Sequence, residues 1–209
     1  MKIIRYEDQN GIIGNAAQKD DAYYEISGDI FSEHIVGENK VEVVKQLAPI
    51  DPRNYLCFGL NYRKHAEEGG AKIPDHPILF IKGANALLNP GEPIELPTKL
   101  KSNEVDYECE LAVIIGKPCK NVSREKALNY VLGYTCANDV SARDWQNGPE
   151  KDMQWWRAKG SDTFGPCGPY IVAGLDYDNL QMTLRLNGKV MQDESTKYFI
   201  NDVRSMVST

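Results

Sequence analysis

The 209-residue chain predicts an α+β fold in which strands dominate. Short apolar runs of strand length recur along it, separated by polar stretches such as Gln18-Lys19-Asp20-Asp21. Asn187-Gly188, between residues 182–186 and 189–192, is a hairpin signal, because a type I′ turn needs positive φ at both central positions. Helical patterns are few and do not alternate regularly with the strands, which points away from a parallel α/β sheet.

Residues 2–6, 11–15 and 22–26 read as strands and form a small strand-rich N-terminal domain, residues 1–48. Residues 41–47 read as a strand or a linker, and Pro49 and Pro52 mark a boundary before a larger domain, residues 49–209. In that domain residues 55–58 and 78–81 are short apolar strands, and residues 107–115 and 133–139 are longer ones. Ser123 caps a predicted helix through Leu132, with Glu125 in its first turn and Gly133 ending it. Residues 199–207 predict a last helix with Ile200, Val203, Met206 and Val207 on one face.

The net charge of −6 and the scattered basic residues argue against nucleic acid as a partner. No apolar run is long enough to span a bilayer, and the first residues lack a signal-peptide core, so no membrane partner and a cytoplasmic location are expected. Five well-separated cysteines without a Cys-x-x-Cys pair read as reduced, mostly buried thiols.

The chemistry concentrates in Asp106-Tyr107-Glu108-Cys109-Glu110-Leu111. On a strand Glu108 and Glu110 share one face, roughly 7 Å apart, while Cys109 points away. Two like charges beside core residues resist desolvation. A bound cation relieves this; the plainer alternative is a strand end emerging into water. Asp139, at the end of the 133–139 strand, adds a third acid, and an all-carboxylate set suits a hard cation, magnesium first, with manganese or calcium as alternatives. If the chain turns helical at Asp139, then Arg143 and Gln146 fall on its face at i+4 and i+7.

These segments resemble the fumarylacetoacetate hydrolase family. The resemblance rests on residues 107–116 (Tyr-Glu-Cys-Glu-Leu-Ala-Val-Ile-Ile-Gly), 137–146 (Ala-Asn-Asp-Val-Ser-Ala-Arg-Asp-Trp-Gln), 159–166 (Lys-Gly-Ser-Asp-Thr-Phe-Gly-Pro) and the upstream run 58–68. It implies a catalytic domain built as a mixed β-sandwich or roll, in a homodimer. It implies that Glu108, Glu110 and Asp139 hold the metal, that Lys159 steadies a developing oxyanion, and that Arg143 and Gln146 bind substrate, with Lys82 as a further substrate or supporting contact. Residues alone leave His65 and Glu68 as a solvated pair on a charged helix, with Glu67 able to replace Glu68 in another register. The resemblance makes His65 and Glu68 a water-activating dyad. His34 and His76 lack such partners and read as structural or exposed.

The implied reaction is metal-dependent hydrolysis of a carbon–carbon bond in a 2,4-dioxo acid, acylpyruvate- or fumarylacetoacetate-like, through an enolate. Decarboxylation of oxaloacetate-like substrates or isomerisation of 2-hydroxy-dienedioates uses the same parts. A noncatalytic binding protein with an unfinished pocket is the alternative from another class. Family members continue past residues 203–207 into a Thr-Gly-Thr-Pro-type loop and a final strand pair, so this chain is expected to stop short of a segment that helps close the pocket.

Overall fold

The computed structural model describes residues 1–70, 72–147 and 155–209. Four strands come first: β1 (Lys2–Glu7), β2 (Ile13–Lys19), β3 (Ala22–Gly28) and β4 (His34–Lys40), followed by the short β5 (Lys45–Leu47). Next come β6 (Tyr55–Gly59), helix α1 (Arg63–Glu68), β7 (Ile78–Lys82), β8 (Leu87–Leu88), β9 (Val105–Asp106) and β10 (Cys109–Ile115). The remainder is β11 (Val131–Asn138), β12 (Ser141–Ala142), α2 (Arg143–Asn147), α3 (Trp155–Lys159), β13 (Gly165–Val172), β14 (Gln181–Leu186), β15 (Lys189–Ser195) and α4 (Val203–Ser208). Strands predominate, as the sequence predicts.

Nine strands form one sheet with the order β10-β11-β13-β1-β2-β3-β4, to which β5 adds on β1 and β8 on β13. β1 lies near its centre, and successive residues of β1 are buried on opposite faces. Ile3 packs with Ala17, Ile26, Ile114 and Ile171, whereas Ile4 packs with Tyr6 and Ala16. The pairing Ile3↔Ile171 ties the first strand to a strand near the end, so one sheet crosses the proline-marked boundary.

The hairpin signal reads correctly. β14 and β15 pair around Asn187 (φ 52°) and Gly188 (φ 79°), both in the left-handed region. Strand β4 escapes the sequence reading because His34-Ile35-Val36-Gly37-Glu38-Asn39-Lys40 is mostly polar at its C-terminal end, as an edge strand permits.

Three helix expectations need correction. Residues 124–130 form a 3₁₀ helix, not an α-helix reaching Leu132, and Ser123 makes no side-chain cap. The sheet claims the residues after it: Ile115 pairs with Val131, and the Gly116 N–H bonds the Tyr130 carbonyl at 2.7 Å. Gly133 therefore ends no helix. It lies inside β11, where an added Cβ would sit 2.5 Å from the Val172 carbonyl oxygen and 2.7 Å from Ile171 Cγ2. We expect Gly133→Ala to lower the urea midpoint, at a cost of about 1–3 kcal/mol from overpacking. An unchanged midpoint would show that β11 and β13 can separate freely.

The last helix starts at Val203, later than predicted, because Asp202 caps it by accepting from the Ser205 N–H at 2.8 Å. Phe199 stays outside and packs its ring 4.9 Å from that of Tyr62. Val203, Met206 and Val207 do face the core. Finally, no helix runs through Asp139. Ser141 and Ala142 pair with Asp106 and Val105, and α2 begins only at Arg143.

All five cysteines are unpaired thiols, but only Cys167 is buried; Cys119 and Cys136 are exposed. His34 is half-buried and His76 exposed. Among the described residues, no helix is long and apolar enough to cross a membrane.

Candidate active site

Four chain segments converge on one buried charge cluster. β10 pairs with β11 in the register Glu110↔Ala137 and Cys109↔Asn138. One step beyond the paired ends, the Asp139 N–H donates to the Glu108 carbonyl at 2.9 Å, which sets the two acids side by side. The Glu108 N–H is fixed in turn by Asn138 Oδ1 at 3.0 Å. The ends of β7 and α3 then supply Lys82 and Lys159.

Both lysines are almost fully buried, at 1% and 2% exposure, with Glu108 at 7% and Asp139 at 8%. Lysine is rarely buried without a paired acid, and here the pairing is close. Lys159 Nζ lies 2.7 Å from Asp139 Oδ2, 3.0 Å from Glu108 Oε1 and 2.6 Å from Ser141 Oγ. Its three donors thus have three acceptors. Lys82 Nζ donates to the backbone carbonyls of Lys159 (2.5 Å) and Val140 (3.2 Å) and lies 2.8 Å from Asp139 Oδ1. That last contact gives each oxygen of the Asp139 carboxyl its own buried ammonium, Lys82 at Oδ1 and Lys159 at Oδ2.

Arg143 closes the other side. Its Nη1 reaches Glu108 Oε1 at 2.5 Å and Gln146 Oε1 at 2.9 Å, and its Nε reaches Asp106 Oδ2 at 2.9 Å. Arg143 and Gln146 stand together on α2, where Arg143 meets Glu108 and Gln146 meets Arg143; neither shares a helix with Asp139.

The three carboxyls do not behave alike. Burial works to raise Glu108, but the cations of Lys159 and Arg143 outweigh it and hold that carboxyl down at about 2. Burial pushes Asp139 up, aided by the Glu108 charge and opposed by both lysines. Glu110 is pushed well above the usual carboxylate range by burial first, then by the charges of Glu108 and Asp139. The nearby Tyr62 hydroxyl works weakly the other way. Burial lowers Lys82, with the Asp139 charge working against it.

Glu110 and Asp139 both line a cavity of about 250 Å³, together with Asn61 and apolar side chains including Tyr55, Phe58 and Phe199. In donor type the site fits a hard divalent cation: it offers three carboxylates, and burial pushes the two thiols on the cavity wall, Cys57 and Cys167, up to about 12, so neither competes as a thiolate. In spacing it is drawn in around the lysine. Among the described residues, no three His, Cys, Asp or Glu side chains stand at metal-ligating distances.

His65 and Glu68 share α1, but no hydrogen bond or ion pair between them occurs among the described residues, and neither lines the cavity. His65 is half-buried and Glu68 exposed. Asn61, just before α1, does reach the cavity, and its side chain bonds Asn201 across 140 positions of sequence. The residue the sequence reading missed is Ser141, fully buried within the cluster. Its position two after Asp139 was visible, but serine carries no charge to draw notice.

The family model described as fumarylacetoacetate (FAA) hydrolase C-terminal matches residues 54–209. A fumarylacetoacetate hydrolase domain-containing protein 2 homolog of Dictyostelium discoideum is 46% identical over 179 residues, which cover 80% of this chain and 58% of that protein. A mitochondrial oxaloacetate tautomerase of Xenopus laevis is 38% identical over 181 residues, covering 85% of this chain and 55% of that protein. The chain therefore spans little more than half the length of these two relatives. The crystal structure of a 2-hydroxyhepta-2,4-diene-1,7-dioate isomerase from Mycobacterium marinum superimposes with a TM-score of 0.85 at 35% identity, covering 100% of this chain and 80% of that one. The matched family model spans the whole charge cluster, and on that match the chain belongs to the fumarylacetoacetate hydrolase family.

Proposed function

We propose that this protein interconverts the keto and enol forms of a 2-oxo acid, as a tautomerase or isomerase, at the Glu108–Asp139–Lys159 cluster. The observation that carries the reading is the charge cluster of buried Glu108, Asp139, Lys82 and Lys159, flanked by half-buried Glu110 and Arg143 and opening onto a cavity through Glu110 and Asp139. Such a set is suited to hold a negative oxygen in place while the proton of the neighbouring carbon is lost to solvent water and the oxygen is reprotonated from it. A divalent cation held by Glu108, Glu110 and Asp139 would supply Lewis-acid polarisation of the keto oxygen.

The chain's own residues do the rest. Lys159 Nζ, fixed by Ser141 and Asp139, presents a positive charge to the enolate oxygen. Arg143, whose planar fork suits a carboxylate, is positioned by Asp106 and Gln146 to meet the acid end of the substrate. Lys82 ties β7 to Asp139 and to the carbonyl of Lys159, which keeps the two halves of the cluster in register. Relatives named as an oxaloacetate tautomerase and a dienedioate isomerase support the same chemistry.

Hydrolysis of a 2,4-dioxo acid is the second reading, favoured by the placement of His65 and Glu68 three residues apart on α1. The test monitors decay of the enol absorbance of freshly dissolved oxaloacetate and, in parallel, acid release from an acylpyruvate, each with magnesium and with chelator. Accelerated enol decay without acid release is expected. Acid release without enol decay would replace the first reading by the second.

A further inference from the structure

The Lys159 ammonium occupies the point at which Glu108 and Asp139 converge, and the two carboxylates have no other common cationic partner among the described residues. Its contacts of 3.0 and 2.7 Å are those of a cation held between two acids. Three further facts bear on that place. Among the described residues, the carboxylates around it do not stand at metal-ligating spacing. Asp139 Oδ1, on the other side of the same carboxyl, has the buried Lys82 ammonium 2.8 Å away, so a cation already stands at each of its oxygens. All three donors of Lys159 are spent within the cluster, on Glu108, Asp139 and Ser141, so none is left for a substrate oxygen.

We propose that Lys159 is an internal competitor for the divalent-cation site, so that cation binding at Glu108 and Asp139 frees its ammonium for the substrate. The inference rests on the metal-assisted reading above. It explains why a residue suited to steady an oxyanion has all its donors engaged by the cluster itself. Exchanging one cation for another at the two carboxylates leaves the buried negative charge compensated at each stage, which a site that simply opened would not achieve. It also makes Lys159 available only when the polarising ion is in place, so neither half of the machinery is exposed alone.

The experiment is calorimetric titration of manganese into the substrate-free protein and into three variants, Lys159→Met, Ser141→Ala and Arg143→Gln, each first checked for a cooperative thermal transition. Arg143→Gln controls for charge alone, because it removes a cation that also touches Glu108 Oε1 but does not bridge to Asp139. The expected result is at least tenfold tighter manganese binding in Lys159→Met and a several-fold gain in Ser141→Ala, where the ammonium loses one acceptor. Arg143→Gln should gain much less than Lys159→Met. If Lys159→Met does not fold, the Ser141→Ala gain over Arg143→Gln decides the matter. Equal or weaker binding in Lys159→Met, or an equal gain in Arg143→Gln, overturns the competition while leaving the metal site intact. No binding by the folded parent or by any folded variant overturns the metal-assisted reading itself, and the competition with it.

Discussion

Glu108→Ala is expected to abolish manganese binding and turnover and to lower the unfolding free energy by about 3–5 kcal/mol, the usual cost of removing one partner from a buried ion pair. The reason is visible in its contacts. Glu108 Oε1 alone is shared by Arg143 at 2.5 Å, Lys159 at 3.0 Å and Ser141 at 3.2 Å. Without it the cluster keeps three cations against Asp139, Glu110 and the more exposed Asp106, and Glu110 is disfavoured as an anion by burial. Urea titration measures the stability change, and enol-decay assays measure the loss of turnover. Glu108→Gln should recover part of the stability, since the amide oxygen can still accept hydrogen bonds, but none of the activity. Full activity in either variant would remove Glu108 from the site.

Glu110→Gln should separate stability from function in the opposite sense. Burial, together with the charges of Glu108 and Asp139, opposes the negative charge of Glu110. A neutral amide of the same shape avoids that opposition, so the variant should unfold at the same or a higher urea concentration than the parent. If Glu110 is a cation ligand on the cavity wall, the same change weakens manganese binding. Loss of several kcal/mol of polarisation corresponds to at least about a hundredfold in rate. Stabilisation with unchanged kinetics would make Glu110 a buried acid without a role in the reaction.

How far these features could be read from the chain depends on where their causes lie. Strand alternation and the Asn187-Gly188 turn are local, and both were legible. The acids Glu108, Glu110 and Asp139 were legible because carboxylates beside apolar strand residues are conspicuous before folding. Gly133 was misread because a glycine after an apolar stretch looks the same whether it ends a helix or lets two strands approach. Only the Val172 carbonyl, 2.5 Å from where a Cβ at this position would stand, distinguishes them. The start of α4 was misplaced because Asp202 lies inside the periodic pattern, where its capping bond to Ser205 is not evident.

The lysines show a different limit. Lys82 and Lys159 look like ordinary basic residues in sequence, and nothing local marks them as buried. Their burial arises because β7 and α3 end at the same acids from positions 77 apart in the chain. Ser141 was overlooked for the same reason. Its importance lies in being the neutral acceptor at 2.6 Å from a buried ammonium. By contrast, His65 and Glu68 form a clear sequence pattern, yet α1 sets them away from the cavity wall.

Both readings of the site, tautomerase and hydrolase, require the cluster to generate an enolate from a 2-oxo acid. Proton NMR of 2-oxobutyrate in deuterated buffer, with the protein and manganese-free magnesium, reads that step through the C3 protons. Magnesium-dependent loss of the C3 signal well above the buffer rate, abolished in Glu108→Gln, is the expected result. Exchange at the buffer rate, from protein shown to bind the divalent ion and 2-oxobutyrate, would contradict enolate formation at this cluster.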